Sequence, residues 1–502
     1  MKTIDFSQPI RQSSKGIIII FAFNAYKFVK RFFVLFIAFG LSLVRKKSFA
    51  NLSTETIVLI FAGILIVLFI VAVLKYLNFK FYLSKDDFHL STGIFNKDNT
   101  VIPKSKIQNV YIKQNFLQQI INVVSLNIET AGDSKSEISI KALDKSTALQ
   151  LKKELFTKTA KQILNNEFED TEEEEKSNIF FKVSLKRLLL EGISQNHFKS
   201  FIIITSFVFG LYYEFRDYTQ NLRLRERIEE NIHLDEKSIL NIIILNLAVI
   251  ILAILISMLF SVIKTVITNF NLEVVENQKT IEINKGLFNK MSLSLTPSRI
   301  QNIVIKTNRI KRYFGLHTLS VKQAMVNAKQ RKNFVIIALE KDQVSHLVDK
   351  LIPNYRSNSE SKKPRPYYKR LLALKMLVLG VIINIPSYFI FGNWIWISNL
   401  AFILFAIIFV QITFKKAYYK IDDECITIGS GFIDTITNIL EIHKIQAVEI
   451  KQSIFQKKKQ IASVYISTAS KKIKIPYILE TDAKTICDYL LFKVESQDRD
   501  WM

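Results

Sequence analysis

Glycine, proline and cysteine are all scarce in this sequence, and each scarcity excludes a class of protein. Only 13 glycines and 8 prolines occur among 502 residues, of which 49% are hydrophobic, so the chain is not intrinsically disordered. The two cysteines, Cys425 and Cys487, lie far apart in sequence. We therefore expect reduced, buried thiols and no disulfide framework. A chain of this length is too long for a single hydrophobic core and predicts several domains.

The residue patterns that catalysis or metal binding requires are also missing from the sequence. Its six histidines are scattered, with neither the spacing of metal ligands nor a paired acid. The sequence has no glycine-rich loop of the kind that cradles a phosphate. We therefore expect a protein that is not an enzyme and that uses no cofactor and no metal.

Acidic residues are too few to balance the basic ones. The chain has 69 Lys and Arg against 44 Asp and Glu, a formal net charge of +25, which is typical of a protein that meets an anionic surface. Residues 55–76 and 239–263 are mostly apolar and carry no internal charge, and about 20 such residues cross a hydrocarbon core of ~30 Å. The expected partners are therefore the lipid bilayer and its anionic headgroups, and not nucleic acid.

Four weaker segments bring the number of predicted transmembrane helices to six. They are residues 16–44, 198–213, 371–391 and 394–414. Only Gly392 and Asn393 separate the last two, which predicts a tight helical hairpin. The first segment contains three basic residues at positions 27–31. It is either an amphipathic stretch on the inner membrane surface that becomes a span near Phe32, or one long tilted helix.

The charges that flank these segments predict the orientation of the chain. Basic residues precede the first and fifth spans and follow the sixth, whereas residues 212–237 contain more acids than bases. We therefore expect an inner-membrane protein with both termini and all soluble domains in the cytoplasm. Basic residues 45–47, on the predicted outer side, oppose this orientation. The early apolar run lacks a small-residue cleavage site, so we expect it to be the first anchor.

One motif occurs three times in the chain. It reads "SKIQNVYIKQ" from Ser105, "SRIQNIVIKT" from Ser298 and "HKIQAVEIKQ" from His443. Each copy is preceded at the same distance by a glycine, namely Gly93, Gly286 and Gly431. The match runs without a gap from this glycine to a shared alanine, namely Ala131, Ala324 and Ala469. An ungapped match of this length indicates an internal repeat.

The repeat defines the predicted organisation of the chain. After each pair of spans come strand-like alternation and then a helix-like segment. The predicted fold class is thus an α plus β membrane protein, with six transmembrane helices in three hairpins, each followed by an all-β domain with a C-terminal helix. The predicted segments are 1–77 (N-terminal segment and first pair), 78–164 (first domain), 165–197 (acidic linker and amphipathic segment), 198–266 (second pair), 267–354 (second domain), 355–370 (basic linker), 371–416 (third pair) and 417–496 (third domain).

Each soluble domain resembles the bacterial pleckstrin-homology (PH) domain of the YdbS and YdbT type. The resemblance is carried by "GIF", "IPKSKIQNV" and "ETAG" in the first copy and by "GLFNKMSLSLTPSRIQNIVIK" and "YFGLHTLSV" in the second, and it extends over nearly the whole chain. It implies a small β-sandwich or open barrel capped by a C-terminal helix, without catalytic residues. It also implies a small PH-domain membrane protein as a companion.

The copies depart from the family pattern at one loop. The family's Gly-Leu pair is present as Gly315-Leu316 in the second copy, which makes these two residues candidates for a binding loop. The first copy has Asn122-Val123 at this place and the third has Gln460-Ile461. We expect the first and third copies to have lost whatever this loop contacts.

The repeated strand supplies the other candidate binding residues. Strand alternation places Gln108 on the same face as Val110 and Ile112, which we expect to be the core. The equivalent glutamines, Gln108, Gln301 and Gln446, either satisfy a loop backbone and fix the strand register or mark a contact between neighbouring domains. The cations beside them, Lys106, Arg299 and Lys444, are either phosphate contacts or solvated charges.

Two functions remain open from the sequence. The first is a non-enzymatic integral membrane protein whose cytoplasmic PH-like domains form a binding or scaffold surface for a membrane partner protein, a peptide or anionic headgroups. The second, implied by relatives of the resembled family, is membrane transport or resistance to bacteriocins and antimicrobial peptides. A conduit usually has ionisable residues inside its spans, whereas Lys375 lies near a span end, which favours binding. We further expect the three domains to form a closed ring.

Overall fold

The structure, a computed structural model, describes most of the chain. The described residues are 4–33, 54–130, 137–163, 178–197, 200–207, 210, 239–277, 280–324, 334–353, 355, 359–391 and 395–496. The chain forms two compact units. One unit comprises Met1–Asn178 and Val274–Ser294, and the other comprises Ile179–Glu273 and Leu295–Met502.

Strands and helices alternate along the chain in a repeated order. The strands are β1 (Ile10–Arg11), β2 (Lys80–Leu83), β3 (Asp87–Thr92), β4 (Asp98–Pro103), β5 (Ile107–Gln114), β6 (Val124–Thr130), β7 (Glu137–Leu143), β8 (Asn178–Lys182), β9 (Glu273–Glu276), β10 (Ile281–Lys285), β11 (Lys290–Leu295), β12 (Ile300–Thr307), β13 (His317–Gln323), β14 (Val335–Leu339), β15 (Tyr418–Ile421), β16 (Cys425–Ser430), β17 (Thr435–Glu441), β18 (Ile445–Lys451), β19 (Ile461–Thr468) and β20 (Lys472–Leu479). The helices are α1 (Gly16–Arg31), α2 (Thr54–Leu77), α3 (Phe116–Ile120), α4 (Lys145–Ile163), α5 (Leu185–Ser194), α6 (Ile239–Asn269), α7 (Arg309–Tyr313), α8 (Lys341–Leu351), α9 (Tyr367–Phe391), α10 (Ile395–Lys416), α11 (Ile454–Lys457) and α12 (Glu480–Glu495).

Each repeat uses these elements in the same order. Three strands are followed by a 3₁₀ turn, a fourth strand, a short helix, two further strands and a closing helix. The closing helices are α4, α8 and α12. This order agrees with the predicted α plus β class and with PH-like domains.

Strand pairing joins consecutive repeats within each unit. In the first unit, β1-β2-β3-β4 form one sheet and the order β7-β6-β5-β11-β10-β9 forms a second. In the second unit, the order is β14-β13-β12-β17-β16-β15, and β18-β19-β20 form a separate sheet. The antiparallel pairs β5·β11 and β12·β17 therefore connect strands of successive repeats.

Alternating apolar residues form the cores against which the closing helices pack. In the first unit, Phe81, Phe88 and Val110 pack in one cluster with Leu151 of α4. In the second unit, Ile428, Leu440, Val464 and Ile475 pack with Leu490 of α12. Burial of each such side chain contributes about 1.5–3 kcal/mol to stability, so the helix and both sheets stabilise one another.

The shared glycine of each repeat forms the hairpin before the third strand. Gly93, Gly286 and Gly431 have φ values of 112°, 110° and 121°. A Cβ at these positions would lie 1.8, 2.1 and 1.9 Å from the carbonyl oxygen three residues later. Only glycine fits this turn without a rearrangement, which explains its recurrence at a fixed distance from the motif.

Three described helical segments are long and apolar enough to span a membrane. They are Leu59–Leu77, Ile251–Asn269 and Ile395–Lys416. Within the third pair, Gly380 of α9 lies against the ring of Phe402 in α10. Residues 34–53 and 211–238 lie outside the described residues, so six spans in three hairpins remain a prediction.

Candidate functional site

The repeated Ile-Gln lies at a β-bulge in all three copies. In β5, Ile107 pairs with Thr130 and Asn109 pairs with Glu129, so the register shifts at the glutamine between them. The same shift occurs in β12 and in β18. The extra residue allows Ile107 to join the core together with Val110. Strand alternation alone places Ile107 on the face opposite to Val110, because a bulge cannot be inferred from a period of two.

Burial differs between the two motif glutamines whose side chains are described. The side chain of Gln108 lies outside the described residues, whereas Gln301 is only 1% exposed. It lies in β12, which pairs with β13 on one side and β17 on the other. Gln446 is exposed in β18, a strand that pairs with β19 within the described part of the chain. Gln446 thus lies at the surface, and the inward orientation predicted for Gln108 stays a prediction.

The three cations of the motif have different surroundings. Lys106 is exposed. Burial lowers the pKa of the Arg299 guanidinium below its usual value. Lys444 is only 2% exposed, and its ammonium donates to the carbonyl oxygen of Ser298 at the start of the second repeat's motif. Lys444 is thus neither solvated nor placed at a surface, and it contributes to the contact between the second and third repeats.

The Gly315-Leu316 loop keeps its backbone conformation in every copy. Gly315 has φ 67°, and the equivalent Asn122 and Gln460 have φ 55° and 52°. The residue that follows is buried in each copy, namely Val123, Leu316 and Ile461. The loop therefore reverses the chain after the short helix and returns the next strand to the core. The first and third copies have replaced the residues without losing this turn.

In each repeat, a capping residue, the third residue of the short helix and a hydroxyl on the following strand are linked by hydrogen bonds. We name this group of side chains the polar floor. A capping side chain accepts a hydrogen bond from the backbone N–H of the third helical residue, in the pairs Asn115 with Gln118 (2.9 Å), Asn308 with Lys311 (2.8 Å) and Ser453 with Gln456 (3.3 Å). The side chain of that third residue then donates to a hydroxyl on the following strand, in the pairs Gln118 with Ser125 (2.5 Å), Lys311 with Thr318 (2.7 Å) and Gln456 with Ser463 (3.2 Å). A capping side chain of this kind typically contributes about 1 kcal/mol.

In the second repeat, the polar floor is covered by α5. Glu191 of α5 is fully buried and forms an ion pair with Lys311, while the Thr318 hydroxyl donates to Glu191 Oε1 at 3.1 Å. Asn308 Nδ2 also donates to the carbonyl oxygen of Ser194, at the end of α5, at 2.7 Å. The second repeat thus binds a carboxylate of its own linker at this place.

In the third repeat, the same floor faces an open groove of about 630 Å³. The lining includes three cations and three tyrosines, namely Arg370, Lys451, Lys474, Tyr367, Tyr465 and Tyr477. The ammonium groups of Lys451 and Lys474 lie 5.4 and 5.2 Å from the centre of the Tyr465 ring. The first repeat has a corresponding groove of about 470 Å³, lined by Lys113 and Lys290 among others.

A second basic pocket lies in the first unit, where α1 meets the end of α2. This lysine pocket has a volume of about 290 Å³, and Lys27, Lys75 and Lys141 line it. Part of the Lys141 side chain is exposed, yet burial lowers the pKa of its ammonium, and the charges of Lys27 and Lys75 lower it further. The amide nitrogen of Asn24, another lining residue, is buried without a hydrogen-bond partner among the described residues. Three cations and a free donor together favour an anionic ligand.

The first half of α1 packs on the first repeat and does not lie apart from it. Ile19 is 1% exposed and clusters with Val123 and Ala142. The same helix also packs on α2, where the centres of the Phe21 and Phe69 rings lie 5.9 Å apart. Both alternatives for the first segment therefore remain predictions. Lys27, in the same helix, lines the lysine pocket.

Repeated β domains with closing helices, on a chain with three helices apolar enough to span a bilayer, define a membrane protein with PH-like domains. The chain belongs to the bacterial PH domain family, which matches residues 31–159, 237–354 and 375–493. It is also similar to the UPF0699 transmembrane protein YdbT of Bacillus subtilis (strain 168), at 24% identity over 424 residues, or 81% of this chain and 83% of that protein. The resemblance found in the sequence, with three copies of the domain, is confirmed.

Proposed function

We propose that this protein is a non-enzymatic binding protein of the cell membrane, and that its PH-like domains lie in the cytoplasm and bind anionic lipid headgroups. The lysine pocket carries this proposal. Lys75 lies in the last turn of an apolar segment long enough to span the bilayer, and Lys27 and Lys141 line the same pocket. Because Lys75 ends this apolar segment, a membrane-spanning placement of α2 would bring the three cations near the level of lipid phosphates.

Electrostatics favours occupation of the pocket by a phosphate. Burial lowers the pKa of the Lys141 ammonium, and the charges of Lys27 and Lys75 lower it further, so its charged form is disfavoured. A phosphate between them reverses this effect, because an anion stabilises the charged form of each amine. A lysine that reaches an anionic surface contributes about 1 kcal/mol to binding.

The third repeat provides a second surface of the same chemistry. Arg370 and Tyr367 come from the first turn of α9, while Lys451, Lys474 and Tyr465 come from the sheet of the third repeat. Tyrosines are enriched at the level of lipid headgroups, where the ring is half apolar and the hydroxyl is hydrated. Because the protein is confined to the membrane, weak contacts of this kind are sufficient to orient its domains.

Lipid titration of the full-length protein in detergent tests this function. Short-chain phosphatidylglycerol should bind more tightly than phosphatidylcholine of equal chain length, and its binding should weaken steeply with salt. The Lys27→Gln/Lys141→Gln variant should lose about tenfold or more in affinity for phosphatidylglycerol. The matched control is Lys80→Gln/Lys145→Gln, which removes two exposed lysines of the same repeat outside the pocket.

Three results would overturn the proposal. The first is equal affinity for the two lipids, and the second is an equal loss of affinity in the control variant. The third is equally tight binding of inorganic phosphate, which would assign the pocket to a free anion instead of a headgroup.

Cytoplasmic orientation needs its own test. With Cys425 and Cys487 replaced, single cysteines at the exposed positions Lys97 and Lys471 should resist an impermeant thiol reagent in intact cells and react after permeabilisation. Rapid labelling in intact cells would place the domains outside. This result would exclude cytoplasmic headgroups as the ligand.

A further inference from the structure

The two junctions between repeats use one strand register. At the first junction, Lys113 of β5 is paired with Met291 of β11. At the second junction, Lys306 of β12 is paired with Ile436 of β17. These residues are equivalent in the repeat, since each lysine ends the Ile-Lys of the motif and each partner lies five residues after the hairpin glycine. The fourth strand of one repeat thus pairs with the third strand of the next in a fixed way.

The third repeat has the same fourth strand without this neighbour. Within the described part of the chain, β18 pairs with β19 on one side. Its residues are correspondingly exposed, since Gln446, Ala447 and Ile450 all lie at the surface. In β12, by contrast, Gln301 and Asn302 are 1% and 0% exposed. Among the described residues, β18 therefore has an uncovered edge of the type that is covered in the other two repeats.

In the part of the chain that the structure describes, the first repeat has an uncovered edge of the complementary type. β4 is the equivalent of β11 and β17, and among the described residues it pairs with β3. The side chains from Asp98 to Val101 are all exposed. An unpaired strand edge is a template for another strand, and proteins usually cover or charge such edges.

Transfer of the shared register to these two edges predicts specific pairs. The pairs are Val448 with Val101, Glu449 with Thr100, Ile450 with Asn99 and Lys451 with Asp98. Lys451 then faces a carboxylate at the position where Lys113 and Lys306 face apolar residues. Opposite charges attract each other across a strand pair, so the two edges are complementary in charge at this position.

We propose that β18 binds β4 of a second copy of this chain, so that two copies join by extending a sheet. The register and the Lys451 to Asp98 pair identify the occupant as this chain's own first repeat. Pro103, which has no N–H to donate, ends β4 two residues beyond the predicted pairs and does not interrupt them. Anchoring in one membrane confines both copies to a plane, which favours a head-to-tail contact.

Disulfide cross-linking between two tagged full-length chains tests this contact. In a background without Cys425 and Cys487, one chain carries Val448→Cys and the other carries Val101→Cys. Oxidation in native membranes should give a covalent dimer that contains both tags. The control pairs Val448→Cys with Phe95→Cys, because Phe95 is fully exposed at the neighbouring hairpin but lies outside the predicted pairs.

The outcomes of cross-linking are distinct. A dimer that forms with Val101→Cys and at least fivefold less with Phe95→Cys supports the proposal. Absence of a mixed dimer, or an equal yield with the control, overturns it. A further outcome concerns a chain that carries both Val448→Cys and Val101→Cys. If this chain forms only an internal disulfide, even with an excess of the second copy present, the proposal is overturned. The contact is then assigned to ring closure within one chain.

Charge exchange provides a test that retains the native cysteines. Lys451→Asp in one tagged copy should reduce co-purification of the other copy severalfold, because two carboxylates then face each other. Asp98→Lys in the second copy should restore it. Failure of the exchange to restore co-purification contradicts the predicted register. Because Lys451 also lines the groove of the third repeat, lipid binding is measured in parallel and is not expected to recover with Asp98→Lys.

Discussion

In the second repeat, Glu191 of α5 occupies the polar floor, whereas the floor of the third repeat faces an open groove of about 630 Å³. The frameworks are otherwise the same, with a capped short helix and a hydroxyl on the next strand. The difference begins at one position, where Lys311 replaces the equivalent Gln456. A change from a neutral amide to a cation is therefore matched by a carboxylate from another segment.

The physical reason lies in the cost of burying charge. An amide and a hydroxyl satisfy each other without a net charge, so the third repeat needs no further partner for Gln456. A buried ammonium requires a counter-ion, because the penalty for removing it from water amounts to several kcal/mol. Lys311 thus requires the carboxylate that α5 supplies, whereas Gln118 and Gln456 line the grooves of the other repeats without such a counter-ion.

Among these predictions, removal of the Glu191 side chain should cause the largest loss in the free energy of unfolding. Glu191→Ala leaves the Lys311 ammonium buried without its counter-ion, and we expect a loss of about 3–5 kcal/mol in the free energy of unfolding. Denaturant unfolding of the full-length protein in detergent measures this loss. A change below 1 kcal/mol would show that water reaches Lys311 and that the second groove is open as well.

A double variant tests whether Glu191 and Lys311 stabilise the protein as a pair. Glu191→Gln/Lys311→Gln converts the second floor to the amide and hydroxyl pattern of the other repeats, and it should lose no more than about 1–2 kcal/mol. Its control is Lys311→Gln alone, which leaves the Glu191 carboxylate buried without a cation and should destabilise more than the double variant. The reverse order of stabilities would contradict the assignment of Glu191 and Lys311 as a pair.

Removal of a capping side chain should cause the next largest loss of stability, and the loss should differ between the second and third repeats. Ser453→Ala removes one cap and should cost about 1 kcal/mol. Asn308→Ala should cost more, about 2 kcal/mol, because Asn308 Nδ2 also donates to the carbonyl oxygen of Ser194 and to the carboxylate of Asp434. Thermal unfolding of the two variants measures the difference, and equal losses would mean that Asn308 acts only as a cap.

Substitutions at the positive-φ residue after the short helix should change stability in opposite directions in the second and third repeats. Gly315→Ala should destabilise by roughly 1 kcal/mol, because φ is 67° and no atom lies near the added methyl group, so the effect is conformational. Gln460→Gly should stabilise by a few tenths to about 1 kcal/mol, since φ of 52° is strained for glutamine. Destabilisation by Gln460→Gly would instead assign its side chain a contact that maintains the third groove.

The smallest effect concerns the thiols of the third repeat. Cys425 is fully buried and burial raises its pKa to about 12, whereas Cys487 is partly exposed. At neutral pH we therefore expect a thiol reagent to modify Cys487 first and Cys425 only on unfolding. In the Glu191→Ala variant, early modification of Cys425 would show that loosening of the second repeat spreads to the third through their shared sheet.

Much of the fold follows from patterns that the sequence displays. Strand alternation, the hairpin glycines and the apolar runs predicted the strands, the closing helices and three of the apolar helices, because each depends on local geometry. The two cysteines are free, as predicted, but Cys487 is only partly buried. Pairing of β5 with β11 had no local signal, since an edge strand and a paired strand have the same period.

The candidate site was harder to predict for a related reason. The bulge in the motif and the burial of Lys444 depend on a neighbouring repeat, which alternation within one strand does not report. Glu191 did carry a signal, because it is an acid within the largely apolar "LKRLLLEGIS" segment. An isolated acid among leucines indicates a buried partner, and Lys311 takes the place that glutamine has in the other repeats.

Because strands of successive repeats share sheets, the cooperative blocks of this protein do not coincide with its sequence repeats. The boundary between the two compact units falls after Ser294, inside the second repeat. A fragment cut at residue 354 leaves β12 without β17, and its backbone then lacks the hydrogen bonds of one edge. Within each unit, neighbouring repeats are joined by backbone hydrogen bonds between β5 and β11 and between β12 and β17, so we expect the joined strands to unfold together.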